Sequence, residues 1–296
     1  MLISSKALAH PAPYEMHDQS VLRFAPNARA KGHQHVTEPT RPSGSVRSMT
    51  SVLRTLRVLE EVATRQPIGV SELSRVTQMP KSSVQRCLVT LQQAGWVRMV
   101  DREHARWGVT MKALALGLRG AGEQDLRELA GPVIKRVSAT TDETVHFALR
   151  DGDNSVIVAR EDTTQPVRVF LEVGARIPLQ ATTAGVAMMA LFEPAEIDEV
   201  FKNEVVDFAG YKVPGSEELR EELVRTLERG YALNMSPWYR PHVATIGAAI
   251  TDSTGRPMAA LVLSIPEMRY NHSEEHALAQ LVIAAADEVS HLISSA

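Results

Sequence analysis

Ser71–Arg98, SELSRVTQMPKSSVQRCLVTLQQAGWVR, is the stretch that decides the fold. It reads as two short helices joined by a tight turn and followed by a strand, the plan of a helix-turn-helix that docks on DNA. Ser71 is placed to cap the first helix, which carries Leu73 and Val76 on its inner side. The TQMP break ends that helix, because a residue before proline is pushed out of the α region. Pro80 suits the first position of the second helix, with Lys81, Ser82 and Ser83 filling its opening turn. Val84, Cys87, Leu88 and Leu91 recur at helical spacing as an inward stripe, and Gly95 stops the helix. Ser82, Ser83, Gln85, Arg86 and Gln93 are left on the other faces, where base edges and phosphates require polar groups.

The flanks extend the pattern. Upstream, Met49, Leu53, Leu56, Leu59 and Val62 step by three and four residues and predict a further helix. Downstream, WVRMVDREHARWGVT reads as two short strands around a polar turn at Asp101–Ala105. That hairpin carries Arg98, Arg102 and Arg106 and makes a basic wing beside the helices. From Arg41 to Thr110 there are 11 Lys/Arg against 5 Asp/Glu, and from Leu126 onward 15 against 25. The net charge of −3 therefore hides a basic head, suited to phosphate attraction, and an acidic body that DNA would repel.

At 296 residues the chain has room for two ordinary domains. Its 44% hydrophobic and 23% charged residues are those of a globular protein. No uninterrupted apolar run of about 18 residues is seen, so no membrane partner is expected. The first residues, MLISSKALAHPAPYEM, do not read as a signal peptide. Cys87, the single cysteine, fits a reducing cytoplasm and a packed, structural role. Residues 1–44 scatter Pro11, Pro13, Pro26, Pro39 and Pro42 among polar residues without periodicity, which predicts a disordered or loosely packed tail. His33 and His35 in that tail form an HxH pair, read as solvated in preference to metal-binding.

Residues 111–125 carry helix formers interrupted by three glycines, a helical linker with an apolar side that calls for a partner such as a second copy. Asp125 and Glu128 suggest a capping box for the next helix, and Pro132 within it a kink or a fresh start. The period then changes. TVHFALRD, SVIVARED and VRVFLEVG are strand-like, AGVAMMALF reads as a buried helix, and a charged helix over about Ser216 to Arg229 ends at Gly230. ATIGAAIT and MAALVLSI form a hairpin across Gly255. Ser273 is placed to cap a final helix with Leu278, Leu281, Val282, Ala285, Val289 and Leu292 as its apolar stripe. Strands flanked by helices predict an α+β domain with a mixed or antiparallel sheet over residues 126–296.

Six ordered segments resemble the IclR family of bacterial transcription regulators, over about Ser45 to Ile293. They are LRVLEEVA, LSRVTQMPKSSVQRCLVTLQQAGWV, LRELAGPVIKRVSATTDETV, GARIPLQATTAGVAMMALF, ELVRTLERGYALN and ITDSTGRPMAALVLSIP. The resemblance implies a winged helix-turn-helix over residues 45–110, joined by the linker to a GAF-like effector-binding domain. It also implies dimers held through the N-terminal domains, often pairing into tetramers. A small-molecule effector would bind between the sheet and the loop entering the AGVAMMALF helix. There Thr182, Thr183 and Ala184 stand at a helix N-terminus that favours an anion, unless the threonines serve only as caps. Carry-over by motif position adds Asn234, Thr245, Val262 and Ser264.

Within NMSPWYRPHVAT the chain departs from the family pattern, and Trp238, Tyr239 and Arg240 can stack an aromatic ring and pair its carboxylate, or pack as a surface loop. His146 faces the same cavity or is a satisfied core histidine, depending on strand register. The expected effector is a small carboxylic acid, aromatic ahead of aliphatic. An enzyme with a DNA-binding head is the rival reading. No GxSxG, phosphate loop or convincing metal set supports it, and HSEEH at His272–His276 is not the zinc-helix order. No cofactor and no catalytic set is therefore expected. Lys81, Ser82, Ser83, Gln85, Arg86, Arg98, Arg102 and Arg106 are the expected contacts to operator DNA.

Overall fold

The computed structural model describes residues 21–23 (strand β1, Val21–Arg23), 48–120, 126–235 and 241–295. It divides into two compact units, one holding 48–120 and the other 126–295 with 21–23.

The first unit contains helices α1 (Thr50–Arg65), α2 (Val70–Thr77) and α3 (Lys81–Gln93), then strands β2 (Val97–Asp101) and β3 (Arg106–Val109) and helix α4 (Lys112–Gly120). Val58, Val62, Leu73, Val84, Leu88, Leu91, Val97 and Trp107 form one buried core. Ile68 pairs its backbone with Trp107 and adds a bridge to the wing. A Cβ on the neighbouring Gly108 would lie 2.8 Å from the Gln66 side-chain oxygen, which would have to shift to admit it.

Several local expectations shift. Ser71 does not cap α2. Gly69 holds that position, with no side-chain cap, and Ser71 is exposed in the first turn. Pro80 precedes α3 as its N-cap, one residue earlier than expected. The break before it is made by Gln78, left-handed at φ 56. The expected inner stripe of α1 is corrected more deeply, because Met49, Leu53 and Leu56 are exposed. Val58 and Val62 are the buried positions. The helix has two apolar stripes, and periodicity alone cannot say which one meets the unit's own core.

In the second unit, α5 (Leu126–Thr141) runs without interruption through Pro132. It is followed by β4 (Thr144–Asp151), β5 (Asn154–Glu161), β6 (Arg168–Phe170), β7 (Arg176–Pro178), α6 (Thr183–Met189) and α7 (Pro194–Phe201). A two-residue hairpin pair, β8 (Asp207–Phe208) and β9 (Tyr211–Lys212), leads to α8 (Ser216–Arg229). Then come β10 (Ala232–Met235), β11 (Val243–Thr251), β12 (Pro257–Pro266) and α9 (Glu275–Ser295). The main sheet is antiparallel throughout, in the order β10-β11-β12-β4-β5-β7. Of the tail, β1 pairs in parallel with β6, where no regular structure was expected.

Strand alternation divides the sheet into two faces. Phe147, Ile246, Leu261 and Leu263 pack under α5 and α9. Ala148, Ala260 and Val262 face α6, α7 and α8. The stretch His272–Ser295 is long and apolar enough by composition to cross a membrane. In the fold it is a core element: Ala279, Val282, Ala285, Ala286 and Val289 are buried, while Asp287 and His291 are exposed and Glu288 pairs with Arg136 of α5. Its start is also corrected. Asn271, not Ser273, caps a short 3-10 turn that precedes α9, accepting from the Ser273 N–H at 3.1 Å.

Helix α6 lies against its preceding turn so closely that a Cβ on Gly185 would fall 2.1 Å from the Leu179 carbonyl oxygen. Backbone cannot yield there as a side chain would. Gly185→Ala should therefore cost roughly 1–3 kcal/mol or more. This would be read as a melting-temperature drop of several degrees, and an unchanged melting temperature would contradict the packing described.

Candidate effector cavity and DNA-contacting face

The register of the central strands assembles a polar row on the α6 face. Asn234 of β10 lies opposite Thr245 of β11, Thr245 opposite Ser264 of β12, and Ser264 opposite Thr144 of β4. Two residues further along β4, on the same face, stands His146, opposite Val262. The row is knitted by hydroxyl contacts. Thr183 Oγ1 and Thr245 Oγ1 are 2.6 Å apart, and His146 Nδ1 lies 3.1 Å from Ser264 Oγ. Thr183 reaches Thr245 because Gly247, the next residue of β11 on that face, has no side chain. A Cβ there would sit 3.0 Å from the Thr183 methyl. Neither threonine at the start of α6 acts as an ordinary side-chain cap: Thr182 makes no capping bond and the Thr183 hydroxyl is spent on Thr245.

Between this row and α6 lies a small cavity of about 20 Å³, part of it open to solvent. His146, Thr182, Thr183, Ala184, Asn234, Thr245, Val262 and Ser264 line it together, as do Ile157, Val169, Leu171 and Val243. The last four went unread in the sequence. Val243 was within reach, since it lies two residues before Thr245 and so shares its face. Val169 and Leu171 come from an excursion between β5 and β7 that forms only the three-residue strand β6, and no periodicity marks which side of it turns inward. Trp238, Tyr239 and Arg240 lie outside the described residues. Phe147 faces the opposite core.

One feature of the wall is energetically conspicuous. Asn234 is 6% exposed, and its buried Oδ1 accepts no hydrogen bond from the described residues. An unsatisfied buried acceptor costs about 1–3 kcal/mol, and such groups call for a specific explanation. A second, smaller cavity shares Thr183 and Asn234 with the first.

The β6 excursion that closes the cavity is held down by charged groups at both ends. At its start the Asp142 carboxylate accepts from the Thr164 N–H (3.1 Å), the Thr164 hydroxyl (2.9 Å), the Thr163 hydroxyl (3.0 Å) and the Gln165 amide (2.6 Å). Arg269 forks onto both oxygens of Glu143 at 2.6 and 2.7 Å and donates to the Val167 carbonyl at 2.8 Å. At the far end, Arg160 donates to the Leu171 carbonyl at 2.6 Å, with its guanidinium 3.8 Å above the Phe170 ring. The Thr164 backbone N–H foremost, then its hydroxyl and the Gln165 amide, hold the Asp142 carboxyl at about 2, against an ordinary 3.8. Burial pushes Glu143 the other way, upward, against the Arg269 hydrogen bonds.

In the first unit, Lys81, Ser82, Gln85 and Arg86 are exposed along α3, and Ser83 is half-buried. Arg98 and Arg102 are exposed on the wing. Arg106 is partly engaged already, donating to Glu72 at 3.2 Å. The end of α3 is bound to the start of α4. Thr110 Oγ1 donates to the Gly95 carbonyl at 2.6 Å, Lys112 Nζ to the Ala94 carbonyl at 2.7 Å, and the same ammonium sits 5.1 Å over the Trp96 ring.

A helix-turn-helix with a basic wing, followed by an α+β unit enclosing a small cavity, defines a DNA-binding transcriptional regulator and not an enzyme. Residues 51–101 match the IclR helix-turn-helix domain and residues 119–291 the family described as bacterial transcriptional regulator IclR C-terminal, so the chain belongs to the IclR family. It is similar to the regulator KdgR of Dickeya chrysanthemi, 28% identical over 82% of this chain and 79% of that one. The transcriptional repressor IclR of Escherichia coli is 25% identical, over 90% of this chain and 97% of its own. Among solved structures, an IclR homologue from Microbacterium hydrocarbonoxydans complexed with 4-hydroxybenzoate shares the fold at TM-score 0.69. That match has 22% identity and covers 83% of this chain and all of that one.

Asp142 has a folded-state pKa below its ordinary value, so the stability it contributes is present above pH 3.8 and is lost as the pH falls through about 2. Glu143, shifted upward, carries the opposite sign. Asp142→Asn should therefore flatten the acid limb of unfolding between about pH 4 and pH 2. Superimposable acid-unfolding curves for the variant and the parent would refute the hydrogen-bond cage.

Proposed function

We propose that this regulator binds operator DNA through α3 and the wing, and that a small carboxylic acid in the β10-β11-β12-β4 cavity controls that binding. The observation that carries the effector reading is the orphaned Oδ1 of Asn234, an acceptor that calls for a donor such as a ligand hydroxyl. It stands in a row where the buried Thr144 hydroxyl also lacks a partner among the described residues, beside the Thr183–Thr245 and His146–Ser264 contacts. Ile157, Val169, Leu171, Val243 and Val262 supply an apolar flank for a ring or short chain, while hydroxyls and an amide supply donors for a carboxylate. Among the described lining residues no Lys or Arg is present, and Arg240, the cation expected from the sequence, lies outside the described residues. The 4-hydroxybenzoate complex of the Microbacterium hydrocarbonoxydans homologue supports placing aromatic acids ahead of aliphatic ones.

The functional units follow the earlier division: a tail to residue 44, a DNA-binding domain over 45–110, a linker over 111–125 and an effector domain from 126. The working form is a homodimer in the cytoplasm. The exposed stripe Met49, Val52, Leu53 and Leu56 on α1, and Met111, Leu114 and Leu116 along α4, are apolar surfaces suited to a second copy. Two heads then place their α3 helices in successive major-groove half-sites. The acid acts by binding one arrangement of heads more tightly than another.

Titration calorimetry of the full-length protein against 4-hydroxybenzoate, benzoate and acetate is the direct test. Binding of an aromatic acid is expected, and binding only of neutral sugars or cations would overturn the effector class. Arg86→Ala should weaken operator affinity by about 1–3 kcal/mol, roughly five- to 150-fold, while leaving acid binding unchanged. Equal loss of both activities would show that the two sites are not separate.

A further inference from the structure

Helix α3 carries an apolar residue where neither packing nor helix propensity wants one. At 100° per residue, Val84, Cys87, Leu88 and Leu91 point together into the core, and Ser82, Arg86, Val89 and Gln93 stand within about 30° of the opposite direction. Val89 is 43% exposed there, flanked on the same face by a hydroxyl, a guanidinium and an amide. A β-branched side chain loses rotamer freedom in a helix, and an apolar one gains nothing from water, so a polar helix former would serve this position better. A local rule broken on the face that meets DNA marks a residue with work to do there.

The major groove offers few apolar features, and the C5-methyl group of thymine is the one a valine can cover. We infer that Val89 reads a thymine methyl group and so sets part of the operator sequence. This rests on α3 being the groove-reading helix of the regulator proposed above. The neighbouring contacts fix where that thymine lies. Val89 follows Gln85 by about 6 Å along the helix axis, close to two base-pair steps. The thymine therefore sits within about two base pairs of the position read by Gln85 and Arg86, on the side toward the helix C-terminus.

The test needs an operator, which selection from a random-sequence duplex pool by the full-length protein supplies. Each thymine of the selected site is then replaced by deoxyuridine, which removes the methyl group alone. One replacement within two base pairs of the position where Arg86→Ala relaxes base preference should weaken binding of the parent about three- to fivefold, as expected for one buried methyl group. Val89→Ala should lose about the same on the unmodified operator and be indifferent to deoxyuridine at that position. It should remain sensitive to changes at other positions and keep the parent's melting temperature or better. Deoxyuridine tolerated everywhere in that window by the parent, or undiminished sensitivity in Val89→Ala, overturns the assignment of Val89 while leaving the regulator intact. Failure of the pool to enrich any sequence overturns the operator reading and the Val89 assignment with it.

Discussion

The first turn of α6 rests directly on the sheet, and two glycines permit it: Gly185 toward the Leu179 backbone and Gly247 toward Thr183. That approach sets the geometry of everything around the cavity. It brings the Thr183 hydroxyl to 2.6 Å from Thr245 and seals the apolar half of this sheet face, where Ala148, Ala260 and Val262 pack under the helix. Beyond the contact the strands change character, and Asn234, Thr245 and Ser264 replace the methyl groups. A core cannot close over such a row without large apolar side chains above it, and α6 has already passed. The space left is bounded by polar groups on one side and by the β6 excursion on the other.

That excursion explains why a wall with so little secondary structure keeps its place. Beyond its short parallel pairing with β1, strand β6 rests on side-chain ties. A half-buried Arg269–Glu143 fork and the fourfold coordination of Asp142 hold its start, and Arg160 holds its end. Exposed ion pairs contribute little individually, but hydrogen bonds from backbone and side chain to one carboxylate are the stronger kind. Val169 is thereby fixed with only 1% of its surface exposed although its strand is three residues long.

Residues with a strong local period were legible in the sequence. The bounds of α8 and the left-handed Gly230 that ends it agree with the reading from Ser216 to Gly230. The wing, the β11-β12 hairpin and the buried α6 were likewise foreseen, because each is marked by alternation, by turn residues or by an unbroken apolar run. What failed was information carried by tertiary contact. The inner side of α1 was misassigned because Met49, Leu53 and Leu56 belong to a stripe left exposed among the described residues. Helix α7 and the β8-β9 hairpin were missed, being short and weakly periodic. His146 was left open between cavity and core, and only the register of β4 against β12 decides it. Motif position had already collected residues from β10, β11, β12 and α6 that share one cavity, although they lie up to 82 residues apart.

Control of DNA binding by a ligand requires that some element be unable to move without moving the recognition helix. The start of α4 meets that condition within its own unit. Its first lysine is bonded to the Ala94 carbonyl and stacked over Trp96, and Thr110 is bonded to Gly95. These three partners follow directly on α3, where Gly95 and Trp96 turn the chain by bonding back to Gln92 and Leu91. A displacement of α4 therefore acts on α3 through its last turn, while the outward face bearing Arg86 and Val89 stays exposed. Coupling of this kind needs only a ligand with unequal affinity for two positions of α4. A difference of about 1.4 kcal/mol between them shifts occupancy tenfold.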